Sequence, residues 1–259
     1  MTTAARHTMV TGVIPARYGS TRFPAKALAP LRGFPLVQHV HAGARKARLL
    51  DRVCIATDDR RIADVVSAFG GTALMTRADH PSGTDRILEA ACALGLGDDD
   101  LVINIQGDEP LIRPEYIDRA AAALRDTREA EWVTLVYPLA SREKAASTTV
   151  VKAVLDSRGF ALYFSRLPIP YDRDGARARP LLGHIGLYGY RVAALKRFAK
   201  LPQGILEQTE KLEQLRALEH GMRIYCVQVG EPTPGVDTPE DLAHVERILA
   251  EHPELCNMS

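Results

Sequence analysis

The tightest constraint on the fold is the apolar run LVINI at residues 101–105, which passes without a break into Gln106-Gly107-Asp108-Glu109-Pro110. A short, continuously apolar run bounded by turn residues reads as a strand buried on both faces. The acids then stand at its carboxyl end. The same order occurs twice upstream. Residues 9–15 carry Val10, Val13 and Ile14, stop at Pro15 and enter a polar loop over 16–29, and residues 52–57 (RVCIAT) are closed by Asp58 and Asp59. Helical spacing fills the gaps. Leu36, Val37 and Val40 share a face over 35–46, and Ile62, Val65, Val66 and Phe69 do so over 61–69, ahead of Gly70-Gly71. A short strand at 72–75 and helices at 85–93 and 114–124 continue the series. Strands alternating with helices predict βαβ units with right-handed crossovers. The expected fold is α/β: a mostly parallel twisted sheet flanked by helices, with ligands at the carboxyl ends of the strands.

The pattern changes at Trp132. Residues 132–137, 150–155, 160–164 and 184–190 are strand-like with long connections, and 168–180 is a loop rich in Pro, Gly and charge. We expect one domain over 1–259, with a smaller antiparallel insertion around 132–200 that serves dimerisation and acceptor binding. Residues 207–220 predict one strong helix ended by Gly221, and 224–229 a strand. Thr238 as N-cap, Pro239 at the first helical position and Glu240 and Asp241 in the first turn open a last helix to about 250.

Composition excludes several classes. With 33 Lys+Arg against 32 Asp+Glu the net charge is +1, so nothing favours non-specific binding to nucleic acid or membrane, and an anionic ligand must be held by a local basic cluster. No apolar run is long enough for a membrane span and the first residues lack the apolar stretch of a signal peptide, so the cytoplasm is expected. The four cysteines form no CxxC pair; Cys54, Cys92 and Cys226 read as small core residues in a reducing compartment, and Cys256 as part of a tail.

Five constellations carry candidate chemistry. After the first strand, Arg17, Arg22 and Lys26 sit among Gly19, Ser20 and Thr21; cations among small residues suit a triphosphate, but they suit a solvated surface loop equally well. Neither GxxxxGK(S/T) nor GxGxxG occurs, which disfavours a phosphate-loop kinase and a dinucleotide oxidoreductase. Asp108 and Glu109 after the LVINI strand favour Mg²⁺, which binds through one or two carboxylates plus phosphate oxygens. Asp237 precedes the capped last helix and reads, by itself, as an acid favoured by a helix N-terminus. Ser82, Gly83 and Thr84 follow Arg77 in a polar loop that suits reading a nucleobase edge or simply capping the next helix. His184 and Tyr188 share a strand face at period two, and Glu213 and Gln214 lie on the predicted helix; singly, each reads as structural.

Taken together, IPARYGSTRFPAK, ATDD, TRADHPSGTDR, NIQGDEP, VVKAVLD, ALYFSRLPIP, HIGLYGYR, EKLEQLR and GVDTPEDL resemble, in order and over nearly the whole chain, the 3-deoxy-manno-octulosonate cytidylyltransferase family. The resemblance implies a nucleotide-diphospho-sugar transferase type of fold, a homodimer, CTP and a small acidic acceptor as substrates, and Mg²⁺ as cofactor. It implies that Arg17, Ser20 and Lys26 handle the triphosphate, with Lys26, Arg17 and Asp108 as the catalytic set. Arg77, Ser82, Gly83 and Thr84 would line the cytidine pocket with Gln106 nearby, and Asp108 and Asp237 would hold the metal. Arg22, Gln106, His184, Tyr188, Glu213 and Gln214 would face the acceptor. In-line attack of the acceptor on the α-phosphorus, with pyrophosphate leaving, asks mainly for positioning and charge neutralisation.

Two departures lie toward the acceptor half. Gly183 stands where the family typically has Arg before the histidine of HxGxYxY, and Ser147-Thr148-Thr149-Val150 replaces an Asn-Pro turn. The acceptor therefore stays open between 3-deoxy-D-manno-octulosonate and another small acid, such as the phosphonate phosphonoformate. A non-catalytic nucleotide-binding relative is the alternative of another class; retention of Lys26, Asp108 and Asp237 argues against it.

Overall fold

A computed structural model describes residues 7–19, 22–80, 82–174 and 180–258. Strand β1 (Val10–Ala16) leads through a 3-10 turn (Lys26–Leu28) and a two-residue hairpin, β2 (Pro30–Leu31) and β3 (Phe34–Pro35), into α1 (Leu36–Arg45). Then come β4 (Arg52–Thr57), α2 (Arg60–Ala68), β5 (Ala73–Met75), α3 (Gly83–Ala93), β6 (Leu101–Asn104), α4 (Pro114–Asp126) and β7 (Trp132–Pro138). They are followed by α5 (Arg142–Ala146), β8 (Lys152–Leu155), β9 (Ala161–Ser165), β10 (Leu182–Arg191), α6 (Val192–Phe198) and α7 (Ile205–Glu210). The chain closes with α8 (Gln214–Glu219), β11 (Ile224–Gln228) and α9 (Pro239–Glu251).

The central sheet runs β11-β7-β10-β6-β1-β4-β5, with β8 and β9 branching from β10. Strands β6, β1, β4 and β5 are mutually parallel, as are β11 and β7, while β10 is antiparallel to both its main neighbours. From β1 the chain moves outward to β4 and β5, then returns through α3 to β6 on the other flank of β1. The loops leaving β1 and β6 thus diverge, which opens a crevice at their carboxyl ends.

Period-two side-chain alternation builds a core on each face. Ile14 and Ile103 pack toward α1 and α4 with Val37, Val40, Ile117 and Leu124. Val13 and Val102 face the other way, with Ile87, Leu195 and an aromatic group in which Trp132 meets Tyr190 edge-on at 4.8 Å. Helix α4 forms because Pro114 suits its first turn and because Tyr116, Ile117, Ala120, Ala121 and Leu124 recur on one buried face. Each large apolar side chain so buried contributes roughly 1.5–3 kcal/mol.

Several expectations change. The helix expected over 207–220 is two helices, α7 and α8, parted by Lys211 in the left-handed conformation (φ 55°). The break lets Glu207 reach Arg216; nine residues apart on one helix they would lie on opposite faces, about 13 Å apart. Of the strands assigned to the antiparallel insertion, β7 and β10 lie inside the central sheet and only β8 and β9 project from it. Helix α6, inside the span expected as insertion, packs on α3. Cys92, expected in the core, is exposed on the outer side of α3, whereas Cys54 and Cys226 are buried. Among the described residues no helix is long and apolar enough to cross a membrane.

Candidate active site

The loop after β1 folds back on itself. Ala25 donates its backbone N–H to Tyr18 O at 3.0 Å, Lys26 donates to Phe23 O at 3.2 Å, and Ala25 adopts φ 57° to make the turn. This returns Lys26 to the carboxyl end of β1. Its ammonium, with the side chain only 15% exposed, donates to Asp108 Oδ2 at 2.9 Å and to Asp237 Oδ1 at 3.1 Å. Arg22 reaches the same Asp237 oxygen at 3.0 Å. Acids separated by 129 positions in the chain therefore face one another across a single cation.

Each acid is held by its backbone. Val236 N–H donates to Asp108 O at 2.8 Å and ties the two loops together. Asp241, in the first turn of α9, accepts from the N–H of both Asp237 and Thr238, and Thr238 caps the helix in return. Gly107 lets β6 end hard against β1, since a Cβ there would run into the Pro15 carbonyl oxygen. The resulting cleft, about 590 Å³, is lined by Arg17, Gly19, Arg22, Lys26, Gly83, Gln106, Gly107, Asp108 and Asp237 with Pro15, Ala16 and Ala27. It lies at the crevice that the strand order opens.

Two carboxylates beside one open cleft suit a hard cation that takes its remaining oxygens from a substrate. Among the described residues no cluster of three or more His, Cys, Asp or Glu side chains is arranged to enclose a metal. The donor set therefore fits Mg²⁺ shared with phosphate better than an all-protein cage.

The start of α3 stands between this cleft and a second one of about 270 Å³. Gly83 lines the first; Ser82 lines the second with Gln203, Glu207, Gln208, Lys211, Glu213 and Arg216. Ser82 caps α3 through Asp85 N–H, and Thr84 donates to Glu213 Oε2 at 2.6 Å. Burial pushes the Glu213 carboxyl upward, against the hydrogen bonds from Thr84 and Ser82 and the charge of Arg216.

His184 and Tyr188 do meet, with ring centroids 5.4 Å apart. Between them β10 bulges by two residues relative to β7, which keeps both side chains on one face. The bulge is filled by the buried Thr134 hydroxyl, which donates toward Ile185 O and Leu187 O at 3.1 and 3.0 Å. His184 Nε2 lies 2.9 Å from the same hydroxyl oxygen. The ring is neutral, so this contact uses one proton, supplied by either the hydroxyl or Nε2. Enclosure beside Phe164 and Tyr188 lowers the His184 pKa to about 4. Gln106 Nε2 donates to Gly186 O at the bulge, 2.7 Å away, linking this strand to the main cleft.

Other expected residues fall elsewhere. Ser20 lies outside the described residues. Arg77 pairs with Asp79 at 2.9 Å and lines a separate shallow depression with His80, Asp85, Leu88 and Glu89. The reason is local: its own loop supplies a carboxylate two residues on. Gln214 is buried in the first turn of α8. Gly183 is explained by Tyr137, whose ring occupies the space a side chain would need, with a Cβ only 2.6 Å from ring atoms. Sequence reasoning missed Thr134 and Arg86, and read Asp241 only as a first-turn acid of the last helix. Arg86, fully buried, pairs with Asp58 at 2.8 Å and also donates to Thr76, tying the ends of β4 and β5 to α3. An arginine on the apolar face of α3 was the available signal. Glu109 was noticed only as a second acid; burial, then Asp108, raises its pKa to about 8, and Thr233 donates to it at 3.3 Å.

A family model described as cytidylyltransferase matches residues 11–224. A 3-deoxy-manno-octulosonate cytidylyltransferase from Syntrophobacter fumaroxidans is 51% identical over 93% of this chain and 97% of its own length. The chain belongs to the 3-deoxy-manno-octulosonate cytidylyltransferase family. It is accordingly a nucleotidyltransferase. Among solved structures, CMP:2-keto-3-deoxy-manno-octonic acid synthetase complexed with CTP aligns at a TM-score of 0.90 and 43% identity, covering 94% of this chain and 99% of that one. The family also reaches a second named activity. An 8-amino-3,8-dideoxy-manno-octulosonate cytidylyltransferase from Shewanella frigidimarina is 49% identical over 93% of this chain and 98% of its own length.

Proposed function

We propose that this enzyme transfers CMP from CTP to 3-deoxy-D-manno-octulosonate in a Mg²⁺-dependent reaction that releases pyrophosphate. The observation that carries the reading is the convergence of Lys26, Asp108 and Asp237 in one cleft at the carboxyl ends of β1 and β6, with Arg17 and Arg22 at its rim. Arg17 and Lys26 neutralise charge that builds on the triphosphate as the α-phosphorus bond to the leaving group breaks. Gly83 lets the nucleoside lie against the first turn of α3. Gln106, oriented by the Gly186 carbonyl, stands on the side from which an acceptor held by His184, Tyr188 and Glu213 approaches. Neutral, enclosed His184 is suited to a hydrogen bond with a hydroxyl rather than to pairing with a carboxylate. Asp108 and Asp237 are the residues that would hold Mg²⁺, which when bound lowers the pKa of the acceptor oxygen and neutralises phosphate charge. No amino-acid base is required.

The deciding experiment is pyrophosphate release from CTP, Mg²⁺ and the acceptor, with CTP binding measured by calorimetry. Wild type is expected to turn over. Asp108→Ala is expected to lose turnover while largely keeping CTP; normal turnover by that variant refutes the metal assignment.

The 49% identity to an 8-amino-3,8-dideoxy-manno-octulosonate enzyme favours a second reading, in which the amino sugar is the preferred acceptor. Competition between the two sugars in one assay separates them by kcat/KM. We also propose a homodimer in the cytoplasm, supported by exposed Leu162 on the edge strand β9 and by Leu167 and Tyr171 just beyond it. A single sedimenting species of monomer mass at micromolar concentration would refute the dimer.

A further inference from the structure

We propose that Glu207 and Arg216 are positioning residues for the reaction, acting through Glu213. Their guanidinium–carboxylate contact is bidentate, with Nε to Oε2 at 2.7 Å and Nη2 to Oε1 at 2.6 Å. Both residues are more than nine-tenths buried, and the Arg216 guanidinium also lies 4.5 Å from the centre of the Phe198 ring. The contact exists only because the chain breaks at Lys211 and folds α8 back beside α7.

The hairpin so formed is closed at its mouth by Glu219, which accepts the N–H of Leu206 and Glu207 at 3.1 and 3.4 Å. Glu213 sits at the tip. One of its oxygens accepts from Thr84 at 2.6 Å; the other is buried without a hydrogen bond and faces Arg216 Nη2 at 3.9 Å. A buried ion pair is a poor source of net stability, because apolar side chains of like volume often serve as well. What a forked, two-bond pair supplies is orientation. Here it fixes Glu213 against the first turn of α3, whose Gly83 lines the nucleotide cleft. The pair thus sets the distance between the nucleotide-side turn and the carboxylate on the acceptor side. This rests on the reading of Glu213 as acceptor-facing.

The test compares wild type, Glu207→Gln, Glu213→Gln, the double variant and a volume-keeping Glu207→Leu/Arg216→Met pair. Each is assayed with CTP and 3-deoxy-D-manno-octulosonate, alongside CTP calorimetry and thermal melting. The Leu/Met pair is expected to melt at or above the wild-type midpoint yet lose acceptor kcat/KM on the order of 10- to 100-fold, with CTP affinity retained. Glu207→Gln is expected to show the same loss on its own and to add almost nothing once Glu213→Gln is present. Additive effects, or a Leu/Met pair with wild-type acceptor kinetics, overturn the inference. If Glu213→Gln raises the acceptor KM while Glu207→Gln does not, the positioning role fails alone. If Glu213→Gln leaves the acceptor KM unchanged, the acceptor-side reading of Glu213 fails and takes the positioning role with it.

Discussion

Replacing Gly107 by alanine tests whether the cleft depends on how closely two strand ends meet. A Cβ at 107 would collide with the Pro15 carbonyl oxygen, and the next nearest atoms are Pro15 C at 3.5 Å and Ile14 Cγ2 at 3.6 Å. The obstacle is backbone, so no side chain can swing aside. Relief requires the ends of β1 and β6 to part just beyond the Ile105 N–H to Val13 O bond of 3.0 Å. Gly107 does not occupy the left-handed region, so the cost is steric and not conformational. Overpacking of this kind costs about 1–3 kcal/mol, which for a chain of this size lowers the melting midpoint by roughly 2–12 °C. The functional cost is larger, because Asp108 is the next residue and its bond to Lys26 spans the same gap. A displacement approaching 1 Å there costs on the order of 100-fold in kcat/KM. Gly83→Ala is the control, since nothing lies within 4 Å of its added Cβ. It is expected to leave the melting midpoint unchanged and to alter CTP affinity only. Calorimetric melting and pyrophosphate release read both variants. A Gly107→Ala enzyme with wild-type turnover and midpoint would falsify the claim that this contact sets the cleft.

Lys26→Met is expected to reduce turnover at saturating CTP by on the order of 10²–10³, the usual loss for one charge-stabilising donor; a rate within tenfold of wild type removes Lys26 from the catalytic set. Arg86→Leu leaves Asp58 largely buried without its cation, at a cost of about 3–5 kcal/mol and a midpoint lower by roughly 10 °C; an unchanged melting curve refutes the structural role given to Arg86. His184 is neutral in the folded protein down to about pH 4, whereas in the unfolded chain it binds a proton near pH 6.5. The unfolded state holds more protons across that window, so the His184 contribution to stability is complete above pH 6.5 and is lost as pH falls toward 4, by no more than about 3 kcal/mol. Denaturant melts of wild type and His184→Gln between pH 4 and 7 check this: wild-type stability minus that of the variant is expected to fall as pH falls, and a difference that stays constant or grows with falling pH contradicts it.

What was readable in the chain was what depends on local order. LVINI followed by QGDEP announces a buried strand with acids at its end, and the capping signals at 238–241 place the start of α9 correctly, because both effects act within a few residues. The meeting of Asp108 with Asp237 is not local, and only the resemblance paired them. The errors share one cause. Residues 207–220 have good helical spacing, yet a buried Glu207–Arg216 pair and the Glu219 cap outweigh the modest cost of a left-handed Lys211. Propensity is worth tenths of a kcal/mol per residue, so a few long-range contacts suffice to bend it. Strand β10 misled in the same way: its alternation is plain, but that it enters the central sheet antiparallel, with a bulge filled by Thr134, follows from pairing partners distant in the chain. The side proposed for the nucleotide is built from loops that leave parallel strands of the sheet, so sequence order reports it well. The side proposed for the acceptor is assembled from β7, β10 and the α7–α8 hairpin, whose mutual placement is written only in tertiary contacts such as Thr84 with Glu213. Changes in acceptor preference within this family should therefore arise in those contacts, at positions that look unremarkable when the chain is read in order.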